Sequence, residues 1–247
     1  VGAKMIFFDI DDTLLDNQAA ESAAAKDFHY LYRSVFPLSP DEFAQNWRII
    51  TEKHVQRYLS GELSFQGQRR ERLKEIFSHN RILSDAEADN LFQKYLGCYE
   101  KNWRLFPDVI TCFDRLKDER LGIISNGDSV QQRQKLTATG IIERFSVILI
   151  SGDIGVSKPD LKIFLEACRM AEVDPSECWH IGDNFEADFQ GCMSVGMNGV
   201  WLAGNGADPI KDCKAIRSLS DLKNIMEKPY GIVNNATRAG KGCNRYS

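Results

Sequence analysis

Two aspartates one residue apart, Asp9 and Asp11, come directly after the apolar run Met5-Ile6-Phe7-Phe8, and Thr13 stands two residues further on. Paired carboxylates suit three tasks: nucleophile, proton carrier, and ligand for a hard cation. Acids are also common in turns, so this pair alone decides nothing. Its counterparts lie far along the chain. Ser125-Asn126-Gly127-Asp128 ends a second apolar run, and Lys158, before Pro159, comes soon after a third. Gly182-Asp183-Asn184 ends a fourth, with Glu186 and Asp188 close behind.

Unbroken apolar runs of this length read as strands buried on both faces, the pattern of a parallel sheet. Strands are expected at 4–10, 121–124, 147–150, 178–181 and 199–202, with a short sixth near 215–217. Helical patterns lie between them at 109–116, 130–139, 161–170 and 186–195, and a closing helix at 220–226. Gly140 and Gly196 sit where C-cap glycines belong. Strand and helix in alternation predict an α/β fold with a doubly wound, mainly parallel, Rossmann-like sheet. Ligands bind such sheets at the carboxyl ends of the strands. The acids, hydroxyl and lysine would therefore converge on one edge, which is a more specific signal than any single motif.

Between the first two strands the texture changes. Apolar residues recur at helical spacing (Phe28, Leu31, Tyr32, Val35; Leu73, Ile76, Phe77), with breaks at 37–40, 60–61 and 79–84. Ser39 with Glu42, with Pro40 between them, fits a capping box, and Ser84 to Glu87 reads as another helix start. The expected division is a core of 1–16 and 104–228, an inserted helical cap of 17–103, and a C-terminal tail of 229–247. The tail is rich in Gly and Asn and lacks periodicity. Its Asn235-Ala236-Thr237 is read as a chance match to a glycosylation acceptor.

Hydrophobic residues at 43%, charged residues at 27% and a net charge of -4 suit a globular protein without the electrostatic footprint of a nucleic-acid binder. No apolar run is long enough for a membrane span, and the run at 5–8 is cut short by acids, unlike a secretory segment. The seven cysteines are scattered and never in C-x-x-C spacing, which argues against a disulfide framework or a structural zinc site. A cytoplasmic protein with reduced thiols is the expectation.

The strand-end motifs resemble those of the haloacid dehalogenase-like (HAD) hydrolase superfamily. Its D-x-D-x-T matches Asp9, Asp11 and Thr13, its strand-terminal Ser with Asn next to it matches Ser125 and Asn126, its Lys matches Lys158, and its G-D-x-x-x-x-D matches Gly182, Asp183 and Asp188. A helical insert between the first two motifs resembles the subfamily with a small α-helical cap. Within it the chain is similar to cytoplasmic pyrimidine 5'-nucleotidases, and around 125–135 to N-acylneuraminate 9-phosphate phosphatases.

The resemblance implies a phosphatase acting on a small phosphate monoester, possible substrates including a nucleoside monophosphate. Asp9 would attack phosphorus to form an aspartyl-phosphate, and Asp11 would protonate the leaving oxygen and then activate water. A carboxylate ionised at neutral pH can be a nucleophile, and a second acid crowded beside it can hold a proton. Four acids and a phosphate dianion repel one another more than Lys158 alone can offset, so a hard cation, Mg²⁺, is expected. Its expected ligands are Asp9, the Asp11 carbonyl and Asp183, with Asp188 either a fourth ligand or a group that steers Lys158. Thr13, Ser125, Asn126 and Lys158 are the expected substrate contacts, aided by the N-terminal end of the next helix.

Asp11 sets this reading against a 2-haloacid dehalogenase on the same fold, because a halide leaves without a proton and those enzymes lack the second aspartate. A phosphoglucomutase-type phosphotransferase would keep all four motifs. Among the other polar residues, His180 reads as a satisfied core side chain, and His29, His54 and His79 lack metal spacing. Arg69, Arg70, Arg72 and Lys74 could reach an anionic substrate, but such a helix face is usually solvated. Phe28, Trp47, Tyr58 and Phe65 read as cap core. Oligomeric state has no signature in the sequence.

Overall fold

The computed structural model describes residues 5–204 and 213–227. The expectations for the first four residues and for the tail from 229 onward fall outside them. Six strands, β1 (Met5–Phe8), β2 (Leu121–Ser125), β3 (Phe145–Ile150), β4 (Cys178–Gly182), β5 (Asn198–Leu202) and β6 (Ala215–Ile216), form one sheet in the order β3-β2-β1-β4-β5-β6. Every pairing is parallel. The strand carrying Asp9 at its end thus lies between those that end in Ser125 and Gly182, so three motif-bearing strand ends are neighbours.

Successive side chains of β1 point to opposite faces of the sheet. Met5 and Phe7 join a cluster with Ile163, Phe164 and Ala167 of helix Leu161–Ala171. Ile6 and Phe8 join the other, larger cluster, which includes Phe113 of helix Val109–Arg115 and runs on into the helical insert. All four β1 side chains are fully buried, and burying each phenylalanine is worth about 2–3 kcal/mol. The strand is shorter than its apolar run. Asp9 N–H still bonds to the Ile181 carbonyl across the sheet, but Asp12 then turns left-handed at φ 57°.

Four helices make up the insert after β1: α1 (Asn17–Leu31), α2 (Pro40–Leu59), α3 (Phe65–Phe77) and α4 (Asp85–Lys101). Both expected capping boxes are made, Ser39 with Glu42 and Ser84 with Glu87. Phe28, Phe43, Trp47 and Tyr95 pack ring to ring in their middle. Phe28 and Trp47 are core as expected. Tyr58 and Phe65 are not: they meet each other at the edge, 5.7 Å between centroids, and Tyr58 is exposed. No described helix is long and apolar enough to cross a membrane.

The helix Val109–Arg115 already described, α5, leads into β2, and α6 (Ser129–Ala138) follows that strand. Gly140 and Gly196 take the left-handed conformation of helix-ending glycines, φ 73° and 85°. The helix expected over 186–195 departs from regularity. Phe185–Gln190 is a π-turn, succeeded by one α-turn at Gly191–Met193. Wide turns of this kind frequently mark functional sites, and this one brings Asp188 back over the end of β4. A Cβ on Gly182 would lie 2.2 Å from Asp188 Cγ, so only glycine fits there.

Candidate active site at the carboxyl edge of the sheet

Lys158 Nζ is the hub of the edge. It donates to Asp9 Oδ1 at 2.6 Å, to Asp188 Oδ1 at 2.6 Å and to the Ile124 carbonyl at 2.9 Å, all three contacts buried. Burial disfavours its charge, but Asp188 and Asp9 overcome that and hold the ammonium above its ordinary range. Burial likewise acts against Asp188, yet Lys158 and His180 keep its carboxylate well below the usual range. Asp188 Oδ1 takes His180 Nε2 at 3.0 Å as well, and Oδ2 accepts the Asn184 N–H at 3.1 Å.

The other acids carry the strain of crowding. Burial, with Asp188 and Asp11 adding to it and Lys158 opposing, pushes Asp9 up to about 6. Burial beside Asp9 and Asp188 pushes Asp183 up to about 8. Oxygen atoms of Asp9, Asp183 and Asp188 lie within 4.8 Å of one another. An excess of hard oxygen donors too buried to shed its charge into water fits a divalent cation such as Mg²⁺.

Several expected roles shift once the side chains are placed. Asp11 meets two donors that the spacing does not suggest. It is drawn aside by Lys135 Nζ at 2.6 Å and Gln132 Nε2 at 3.0 Å, with 31% of its side chain exposed. Thr13 is fully buried with its hydroxyl 3.4 Å from Asp183 Oδ1, so it orients an acid rather than offering a surface to substrate. The Asn126 side chain is occupied too. Its Oδ1 accepts the Lys158 N–H at 2.8 Å and its Nδ2 donates to the Lys158 carbonyl at 3.0 Å, leaving only its backbone for a ligand. Both Asp188 oxygens are engaged by donors, which favours steering Lys158 over direct ligation. Ser125 Oγ is buried at the end of β2, accepting Gln132 Nε2 at 3.1 Å.

Three contributors are not evident from the sequence. Gln132 and Lys135 sit three apart on α6, one face of a helix, and both reach back to Asp11. The signal available for them is a polar pair on a helix that opens at a motif strand's end; Lys135 is only 3% exposed. The third is His180, which the sequence marks only as a satisfied core residue. It is core, but its Nδ1 has no hydrogen-bond partner among the described residues, and burial keeps the ring's charge down, so a neutral imidazole orients Asp188.

A cavity of about 150 Å³ opens beside Asp11, between α6 and the helical insert. It is lined from the core by Gln132 and Lys135 and from the insert by Glu21, Arg69, Arg72 and Tyr99. The basic run of α3 is therefore split. Arg70 and Lys74 bond to Asp85 and Asp89 of α4, a solvated face as expected, whereas Arg69 and Arg72 face the cavity.

Residues 3–196 match the sequence model of the haloacid dehalogenase-like hydrolases. Among curated proteins, human N-acylneuraminate-9-phosphatase is 27% identical over 92% of this chain and 92% of its own length. Glyceraldehyde 3-phosphate phosphatase of Pyrococcus abyssi is 31% identical over 81% of each chain. Among solved structures, the magnesium-bound HAD-hydrolase YfnB of Bacillus subtilis superposes with a TM-score of 0.76 at 24% identity, covering 92% of this chain and all of the other.

Proposed function

The chain belongs to the haloacid dehalogenase-like hydrolases, and from that premise we propose that it is a Mg²⁺-dependent phosphatase of a small phosphorylated metabolite. The observation that carries the reading is the grouping of Asp9, Asp183 and Asp188 around the Lys158 ammonium, with Asp11 beside them at the mouth of a cavity. The phosphatase names of the relatives over most of the chain's length support it.

Asp9 is the nucleophile. Its carboxylate oxygen forms a bond to phosphorus as the ester oxygen leaves, and Asp11 gives that oxygen its proton. Asp11 then takes a proton from the water that attacks the aspartyl-phosphate, releasing inorganic phosphate and restoring Asp9. Lys158 holds one Asp9 oxygen in place and, fixed by Asp188, balances charge on the transferring group. Ser125 and the backbone N–H of Asn126 receive phosphate oxygens, since the Gly127 N–H is donated to Ser151 Oγ. Asp9, the Asp11 carbonyl and Asp183 would hold the cation, which supplies charge neutralisation between nucleophile and phosphate. Helices α1–α4 form the cap, where substrate choice resides.

The test is a panel of sugar, acid and nucleoside monophosphate esters, assayed with Mg²⁺, with chelator, and with Asp9→Asn. Phosphate release should need the metal and fall on the order of 10⁴-fold or more in the variant. No metal-dependent release from any ester would sink the reading. Halide release from 2-chloropropionate in chelator would install the dehalogenase in its place, and dependence on a bisphosphate activator would install the mutase.

A further inference from the structure

Arg72 is a buried cation with no carboxylate in direct contact among the described residues. It is 8% exposed, its Nε is buried with no hydrogen-bond partner, and no hydrogen bond or ion pair involves it among the described residues. A buried guanidinium left in this state is costly. Arg69 is half-buried beside it, stacked at 4.1 Å over the Phe65 ring and 5.1 Å over Phe92, with no ion pair among the described residues. Stacking orients a guanidinium while leaving its planar fork open to a ligand. Next to them Gln68 Oε1 is buried and has no hydrogen-bond partner among the described residues. All three project from α3 into the cavity that Asp11 borders.

The acids that share the cavity do not satisfy these groups. Asp128 caps α6 by accepting the Gln131 N–H, and Asp11 is taken by Lys135 and Gln132. Glu21 acts on Arg72 through its charge alone, with no ion pair to either arginine among the described residues. Burial also pushes the Glu21 carboxyl up toward its neutral form, although Arg72 and Lys135 oppose that.

Resting on the phosphatase reading, we propose that Arg69 and Arg72 are specificity residues that bind a carboxylate on the substrate, so that the preferred ester carries two anionic ends. The phosphate lies at Asp9. Asp11 protonates the leaving oxygen, so the leaving group lies on the Asp11 side, in the cavity. Its carboxylate completes the two guanidinium forks, and a hydroxyl on it can donate to Gln68 Oε1. Ground-state binding of this kind acts chiefly on KM.

The experiment compares 3-phosphoglycerate with glycerol 3-phosphate, which differ in carboxylate against hydroxymethyl, and uses p-nitrophenyl phosphate as a reporter of the chemistry. The wild type should favour the carboxylated ester at least about tenfold in kcat/KM. Arg72→Gln and Arg69→Gln should each remove most of that preference through KM, while p-nitrophenyl phosphate turnover stays within about twofold. Arg72→Lys, which keeps the charge and lessens the risk of misfolding, should retain part of it. Equal kcat/KM for the two esters in the wild type, or equal losses on both in the glutamine variants, overturns the carboxylate site. Calorimetric binding of the two esters to Asp9→Asn protein reads the same contact without turnover. Tighter binding of the carboxylated ester supports the site even if the phosphatase reading fails, and equal binding overturns it even if that reading holds.

Discussion

Lys158 keeps its charge in a place where an unpaired ammonium would be expelled, because two carboxylates and a carbonyl surround it. Asp188 does most to stabilise it and also carries His180 and the Asn184 N–H, so one carboxylate serves three donors. Asp188→Asn should therefore cost far more than a surface charge does. An amide presents a donor where the native group only accepts, and it leaves Lys158 partly uncompensated. We expect a loss of about 3 kcal/mol in urea unfolding and a fall in kcat. A change below about 1 kcal/mol would mean that Asp188 does not hold the lysine. The motif spacing made Asp9, Lys158 and Asp183 legible as a set. It could not reveal that Thr13 and Asn126 direct their side chains to Asp183 and the Lys158 backbone, because those partners are distant along the chain.

Among the elements, α4 shows how local rules place distant chemistry. Ser84 Oγ receives the Glu87 N–H, and Glu87 Oε2 returns to the Ser84 N–H, so this end of the helix satisfies its own donors. The same helix carries Asp85 and Asp89, which bond to Arg70 of α3, and Tyr99, whose ring lies 5.4 Å from Lys135 Nζ. Ser84→Ala should lower stability by about 1 kcal/mol in chemical denaturation. No measurable loss would show that the cap box adds nothing once α3 and α4 are packed. Both boxes could be read from sequence because every partner lies within three residues. The π-turn at Phe185–Gln190 could not, because it depends on Asp188 folding over Gly182.

For the whole molecule, the sheet order brings three acids to one edge and leaves an electrostatic debt there. Asp183, held up to about 8 by burial and by Asp9, keeps its proton in the folded chain and loses it in the unfolded chain above about pH 4. The metal-free fold therefore loses stability from this group as pH rises from about 4 to 8. A divalent cation binds the ionised form and offsets that loss, so its stabilising effect must grow with pH over the same window. The rise in Tm on replacing chelator with Mg²⁺ should be larger at about pH 8 than at about pH 6.5. Taking the difference between the two conditions removes the opposing contribution of His180, whose buried ring is kept neutral. An equal rise at both pH values would show that Asp183 does not bind the metal.

The sequence by itself determined the alternation of buried strands and helices, the helical insert after the first strand, and the reactive residues that end each motif strand. Those are consequences of local periodicity and of the residues next to each apolar run, and both survive without knowledge of any partner. Only the tertiary structure decided which polar groups are free to meet a ligand. Asp11 turns out to be held by Gln132 and Lys135, and the four basic residues of α3 divide into two that tie helices together and two that face the cavity. Pairing between side chains distant in sequence depends on three-dimensional distance and burial, and neither is written in spacing along the chain.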